Sequence, residues 1–154
     1  MTLSTFGAIM GFAAQMVRQT ETLYKTMIQK VENPVLREAL QLLLEEEEKN
    51  YSLMERTRRE NVTEMILEPI AGLHADDYEI KTEEMDQSKD ADLLKTALVL
   101  EERERRFFSE VSGKVPLPEV GRVFRKVAQK KEKSLAKLKT LGLNQLLLGE
   151  SGKA

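Results

Sequence analysis

The chain has 154 residues and nearly balanced charge, with 24 Lys or Arg against 26 Asp or Glu and a formal net charge of -2. At about 100 to 200 residues per domain this is one unit, and 41% apolar residues can fill its core, while 8 Gly, 4 Pro and 5% aromatics are poor material for a sandwich or barrel. Having no cysteine excludes a disulfide framework, a thiol nucleophile and Cys-ligated metal; a single histidine, His74, excludes any site that needs two; and the near-neutral balance gives no electrostatic case for nucleic acid.

No charge occurs before Arg18, but Ser4, Thr5, Gly7, Gly11 and Gln15 break the stretch and no basic start precedes it. The stretch is expected to be neither a secretory leader nor a membrane span, which takes roughly 20 apolar residues. A cytoplasmic protein with no membrane partner is expected, and the lack of cysteine suits a reducing compartment.

Apolar residues at Phe6, Ile9, Met10, Ala13, Met16, Val17, Tyr24, Met27 and Val31 alternate by threes and fours, with Thr20 filling one gap. This predicts a helix over about 5–31. Pro34 suits the first turn of a second helix, capped by Asn33, which runs over 34–60 through Leu36, Leu40, Leu43, Glu47, Asn50 and Met54. Residues 61–89, with Pro69, Gly72, His74 and a dense polar run, read as a crossover containing at most one short helix. Further stripes predict helices over 90–112 and 118–141, the first ending at Gly113 and the second near Gly142. The segment 143–154 is a short tail with the apolar cluster Leu146, Leu147, Leu148.

The helix pairs look duplicated. The offset that carries Glu47 onto Lys131 also carries Ala13 onto Ala97, Tyr24 onto Phe108, Pro34 onto Pro118 and Leu40 onto Phe124, without a gap. A helix of about 25 residues is about 37 Å long, so the crossover can run back along it and start the third helix beside the start of the second. Up, down, down, up is the topology of a one-crossover bundle.

The informative residues interrupt the stripes. Glu47 lies one turn beyond Leu43 and Glu101 one turn beyond Ala97, both mid-helix, where a bundle is driest. A buried carboxylate costs several kcal/mol unless it is compensated. Something cationic must face them.

At these residues the sequence resembles a family. The spacing from Met16 to Tyr24, that from Leu100 and Glu101 to Phe108, and the run from Leu43 through Glu47 to Asn50 and Tyr51 are similar to the metal-helix motifs of the rubrerythrin family, a ferritin-like branch. The resemblance covers residues 5–140. It implies an all-α, ferritin-like four-helix bundle occupying residues 1–142, made of two duplicated hairpins and followed by the tail. It also implies a two-iron centre built from one Glu on each of two helices and a Glu-x-x-His on each of the others. Position by position those ligands fall on Val17, on Glu47 and Asn50, on Glu101, and on Lys131 and Ser134, so that only Glu47 and Glu101 keep a ligand of the family's type. Val17, Asn50, Lys131 and Ser134 are lost ligand positions.

Two ferrous ions need about four carboxylates for balance. This set offers two carboxylates and an ammonium, so the expectation is that Lys131 replaces the metal, bridging Glu47 and Glu101 with hydrogen bonds from Asn50 and Ser134. The alternative is a reduced site for one iron or manganese ion on Glu47, Glu101, Asn50 and Glu104, which lies on the same face as Glu101. Glu104 and Glu21 otherwise read as rim residues paired with Lys or Arg, Tyr24 as core with a locally bonded hydroxyl, Tyr51 as core, and His74 as a surface-loop residue.

Two functions follow. In one, the chain is a non-catalytic structural or interaction module without cofactor, acting as a homodimer or on a partner protein, and the apolar segment Leu141 to Leu148 could dock on the bundle, on the second subunit or on an unrelated partner. In the other, it is a peroxide-linked oxidoreductase of the di-iron-carboxylate type.

Overall fold

A computed structural model describes residues 2–61, 70, 72–80 and 89–143. Four α-helices build it: α1 (Phe6–Lys30), α2 (Pro34–Glu60), α3 (Asp90–Ser112) and α4 (Pro118–Leu141), with a 3-10 helix (Ala75–Tyr78) between α2 and α3. The fold is an all-α bundle. Among the described residues the only extended pairing is an isolated bridge between Thr2 and His74.

Local chemistry sets the helix starts. The Thr5 side chain accepts from Ala8 N at 3.0 Å, and Asn33 Oδ1 accepts from Val35 N at 2.9 Å and Leu36 N at 3.0 Å. These bonds satisfy donors that a first turn leaves orphaned. Pro34 and Pro118 occupy first-turn positions, where a missing N–H costs nothing.

α1 packs most extensively on α2 and α3 on α4, while α1–α3 and α2–α4 contacts join the two pairs. Asp90, opening α3, accepts from Glu32 N at 2.9 Å and Asn33 N at 2.8 Å, so α3 starts beside the α1–α2 turn. At the other end, Leu3 N donates to Leu73 O at 2.9 Å and Ile70 N to Ser4 O at 2.8 Å. Ile70 and Leu73 of the connection therefore lie against the start of α1. Gly121 marks the tight approach of α4 to the end of α3, since a Cβ there would stand 3.0 Å from Ser112 O.

The apolar core is split. One cluster gathers Phe6, Met10, Val17, Met54, Phe107, Phe108 and Phe124, with Phe107–Phe108 and Phe108–Phe124 centroids 5.3 and 5.4 Å apart and edge-on. The other gathers Tyr24, Met27, Leu36, Leu40, Leu43, Leu94, Leu100 and Leu138. On every helix the break falls at the same level: Thr20 on α1, Glu47 and Asn50 on α2, Glu101 and Glu104 on α3, Lys131 on α4, all buried. A polar layer crosses the middle of the bundle.

No helix among the described residues is long and apolar enough to cross a membrane. The apolar tail cluster Leu146 to Leu148 and most of the polar run before α3 lie outside the described residues, and Leu143 is exposed.

Candidate functional site

The layer is assembled by helical spacing. Glu47 and Asn50 are three residues apart on α2, as are Glu101 and Glu104 on α3, and an i,i+3 pair shares one helix face. Glu47, Glu101, Glu104 and Lys131 are all fully buried, at 0% exposure. The Lys131 ammonium donates to Glu47 Oε1, donates to Glu101 Oε2 at 2.9 Å, and lies 3.7 Å from Glu104 Oε1. Tyr24 Oη donates to the same Glu101 Oε2 at 2.6 Å. One ammonium thus faces three carboxyl groups, and the phenol completes the shell of one of them.

Burial dominates the electrostatics. It pushes the Glu47 carboxyl well above the usual range, helped by repulsion from Glu104 and opposed by attraction to Lys131. Glu104 moves up for the same first reason. For Lys131 burial works downward, but attraction to Glu101, Glu104 and Glu47 outweighs it and holds the ammonium well above its ordinary value. Tyr24 is pushed well up by burial and then by the neighbouring carboxylates, so its hydroxyl stays a donor. The buried Arg103 guanidinium adds a second cation, donating to Gln19 Oε1 at 2.8 Å and Thr20 Oγ1 at 2.9 Å. Three carboxyls against two cations balance when one proton stays on the Glu47–Glu104 pair. The upward shifts favour that state.

Several buried atoms in the layer have no hydrogen-bond partner: Glu47 Oε2, Glu101 Oε1, both Glu104 oxygens and Asn50 Nδ2. One carboxylate oxygen from each of Glu47, Glu101 and Glu104 lies within 4.8 Å of the others, so this triad could hold a metal ion. An all-oxygen set suits a hard divalent cation, but the Lys131 ammonium already lies against one oxygen of each of the three carboxyl groups, and an ion bound on those oxygens has to displace it. At the positions that the resemblance assigns to ligands of a two-iron centre stand Val17, a fully buried alkyl group, and Lys131 and Ser134, none of them a carboxylate or an imidazole.

The structure corrects four expectations. Glu104 is not a rim residue; it faces Lys131 from the buried layer, and Glu21, also buried, pairs with the exposed Arg18 and Lys25 at 3.3 and 3.2 Å. The Tyr24 hydroxyl bonds across helices, not locally. Asn50 Nδ2 has no partner, and Ser134, half-buried, donates no hydrogen bond to the cluster among the described residues. The polar support comes from Tyr24. Tyr51 is half-buried, with the Arg18 guanidinium 3.6 Å from its ring centroid, and His74 is exposed. The buried role of Arg103 was missed. The sequence signal for Glu104 was its helical step from Glu101; for Arg103, in a charged run, no comparable signal existed.

No family model and no curated protein matches the chain. A solved structure described as a hypothetical protein from Pyrococcus furiosus is similar over 88% of this chain and 89% of that one, at 22% identity with a TM-score of 0.64. That similarity concerns the fold.

Proposed function

We propose that the chain is a ferritin-like bundle of the rubrerythrin type whose metal site has been taken over by an ammonium, leaving a non-catalytic structural or protein-interaction module of the cytoplasm. The contact of the Lys131 amine with Glu47, Glu101 and Glu104 carries this reading. The hydrogen bonds that tie the start of α3 to the α1–α2 turn support a one-crossover topology, and the step from Glu47 to Lys131, matched elsewhere along both pairs, supports duplicated hairpins. The module works as a homodimer or on a partner protein and needs no cofactor.

The second reading is a metal-dependent oxidoreductase with one iron or manganese ion. The closely spaced carboxylate triad and its unpartnered oxygens favour it. Metal analysis of protein purified from iron- and manganese-supplemented cells separates the two: the first expects no stoichiometric metal, and a stoichiometric ion lost on Glu47→Gln establishes the second. Restoring the family pattern with Val17→Glu, Asn50→His, Lys131→Glu and Ser134→His is expected to create iron uptake. A folded variant that takes up none overturns the positional assignment.

A further inference from the structure

A solvent-open groove of about 530 Å³ runs between α3 and α4, and the function proposed above does not use it. Its apolar wall comprises Ile80, Leu98, Val99 and Leu135, and Val99 is among the few large hydrophobic side chains that are exposed, at 40%. Among the described residues four cations, Lys95, Arg103, Arg106 and Lys139, line the same groove against a single carboxylate, Glu102. That carboxylate is already held by Arg105 through two bonds of 2.8 and 2.7 Å. In a chain of net charge -2 this cationic surplus is local.

Two of the cations are preset. Arg106 donates to the Asp77 carbonyl and lies 5.2 Å from the Tyr78 ring centroid. Arg103 is fixed by Gln19 and Thr20, yet its Nε, in a side chain belonging to a residue only 5% exposed, has no partner. Lys95 and Lys139 are exposed and make no ion pair among the described residues. Along α3 the wall from Lys95 to Arg106 is about 16 Å long, at about 1.5 Å per residue.

These features select a ligand class. The positive field rejects a metal cation, and the described residues of the wall include no aromatic side chain on which bases could stack. A mixed lining of this volume is the usual setting for a small organic ligand, with apolar contact for affinity and a few charges for orientation. We infer that the groove binds a single-chain amphipathic anion, an acyl or alkyl chain ending in carboxylate or phosphate. The chain lies along Leu98, Val99 and Leu135, and the head is held by the Lys and Arg rim.

Calorimetric titration of the full chain with decanoate below its micelle concentration tests this, beside decanol, acetate, inorganic phosphate and phosphatidylglycerol vesicles. The expected result is saturable binding of one decanoate per chain, with decanol, acetate and phosphate at least about tenfold weaker. The double substitution Lys95→Met and Lys139→Met is expected to weaken decanoate about tenfold, at up to about 1 kcal/mol per exposed charge. Val99→Glu is expected to abolish binding while helical circular dichroism is kept. Should Val99→Glu unfold the bundle, the double lysine variant decides, because both side chains are exposed. Equal binding of decanol, equal binding of phosphate alone, an unaffected lysine variant, or a response to vesicles without saturation by decanoate overturns the inference.

Discussion

Replacing Lys131 by Met keeps an unbranched side chain of similar length and removes the ammonium that faces three buried carboxyl groups. Without it, one more carboxyl must enter the fold protonated. In the unfolded chain a glutamate titrates near about 4.3, so holding a proton on it at pH 7 costs about 1.36 kcal/mol per pH unit, or about 3.7 kcal/mol. This agrees with the roughly 3 to 5 kcal/mol for breaking a buried pair from one side. The same arithmetic leaves only about 1 kcal/mol at pH 5. Urea unfolding followed by helical circular dichroism, at pH 5 and pH 7 on both proteins, is therefore expected to show a large destabilisation at neutral pH that mostly disappears in mild acid. A loss below about 1 kcal/mol at pH 7, or a loss equal at both pH values with unchanged m, would refute the buried-ammonium reasoning.

The unmodified protein carries a related pH signature. The Glu47–Glu104 pair, both members shifted upward by burial, holds a proton in the folded state that the unfolded chain releases above about 4.3, so the pair's contribution to stability falls as pH rises from there toward the raised folded values. Lys131, raised as well, contributes fully below about 10.5 and loses that contribution as pH rises through its folded value. Unfolding midpoints are thus expected to be higher at pH 5.5 than at pH 8.5, and the opposite order contradicts the assignment. Tyr24→Phe deletes the phenol bond to Glu101 and should cost about 1.5 to 3 kcal/mol, the range for a hydrogen bond to a charged group, measured by the same urea titration. Asp90→Ala removes both acceptors that tie α3 to the α1–α2 turn; a loss of about 1 to 2 kcal/mol is expected, with faster amide exchange at Glu32 and Asn33.

The helices were legible because stripes of apolar residues at threes and fours are long, and because Asn33-Pro34 and Gly113 to Pro118 punctuate them with residues whose backbone chemistry ends or starts a helix. Glu47, Glu101 and Lys131 could be singled out because each breaks a stripe, and the structure places the three together. What surrounds them was not legible. Whether Glu104 faces in or out depends on how far each helix is rotated, and its charged neighbours gave no contrast. Arg103 is buried although its sequence setting is a run of charges, because α1 offers it Gln19 and Thr20 across the interface. Contacts between helices are not written in the spacing of either one.

The mid-bundle layer between the two apolar clusters also bears on how the four helices find their alignment. Leucine-rich stripes can slide against one another by a turn with little loss, since one methyl cluster resembles the next. Here a one-turn slip of α4 would bring Val127 or Leu135 opposite Glu47 and Glu101 and strand the ammonium against hydrocarbon. Every such slip breaks a buried charge contact, so on this hypothesis the layer acts as an index mark, a use that single buried polar residues have in coiled coils. Replacing Glu47, Glu101, Glu104 and Lys131 together by Leu or Met should then leave stability equal or higher while broadening the methyl resonances, as several alignments interconvert. Sharp, singly populated spectra in that variant would show that shape alone fixes the alignment.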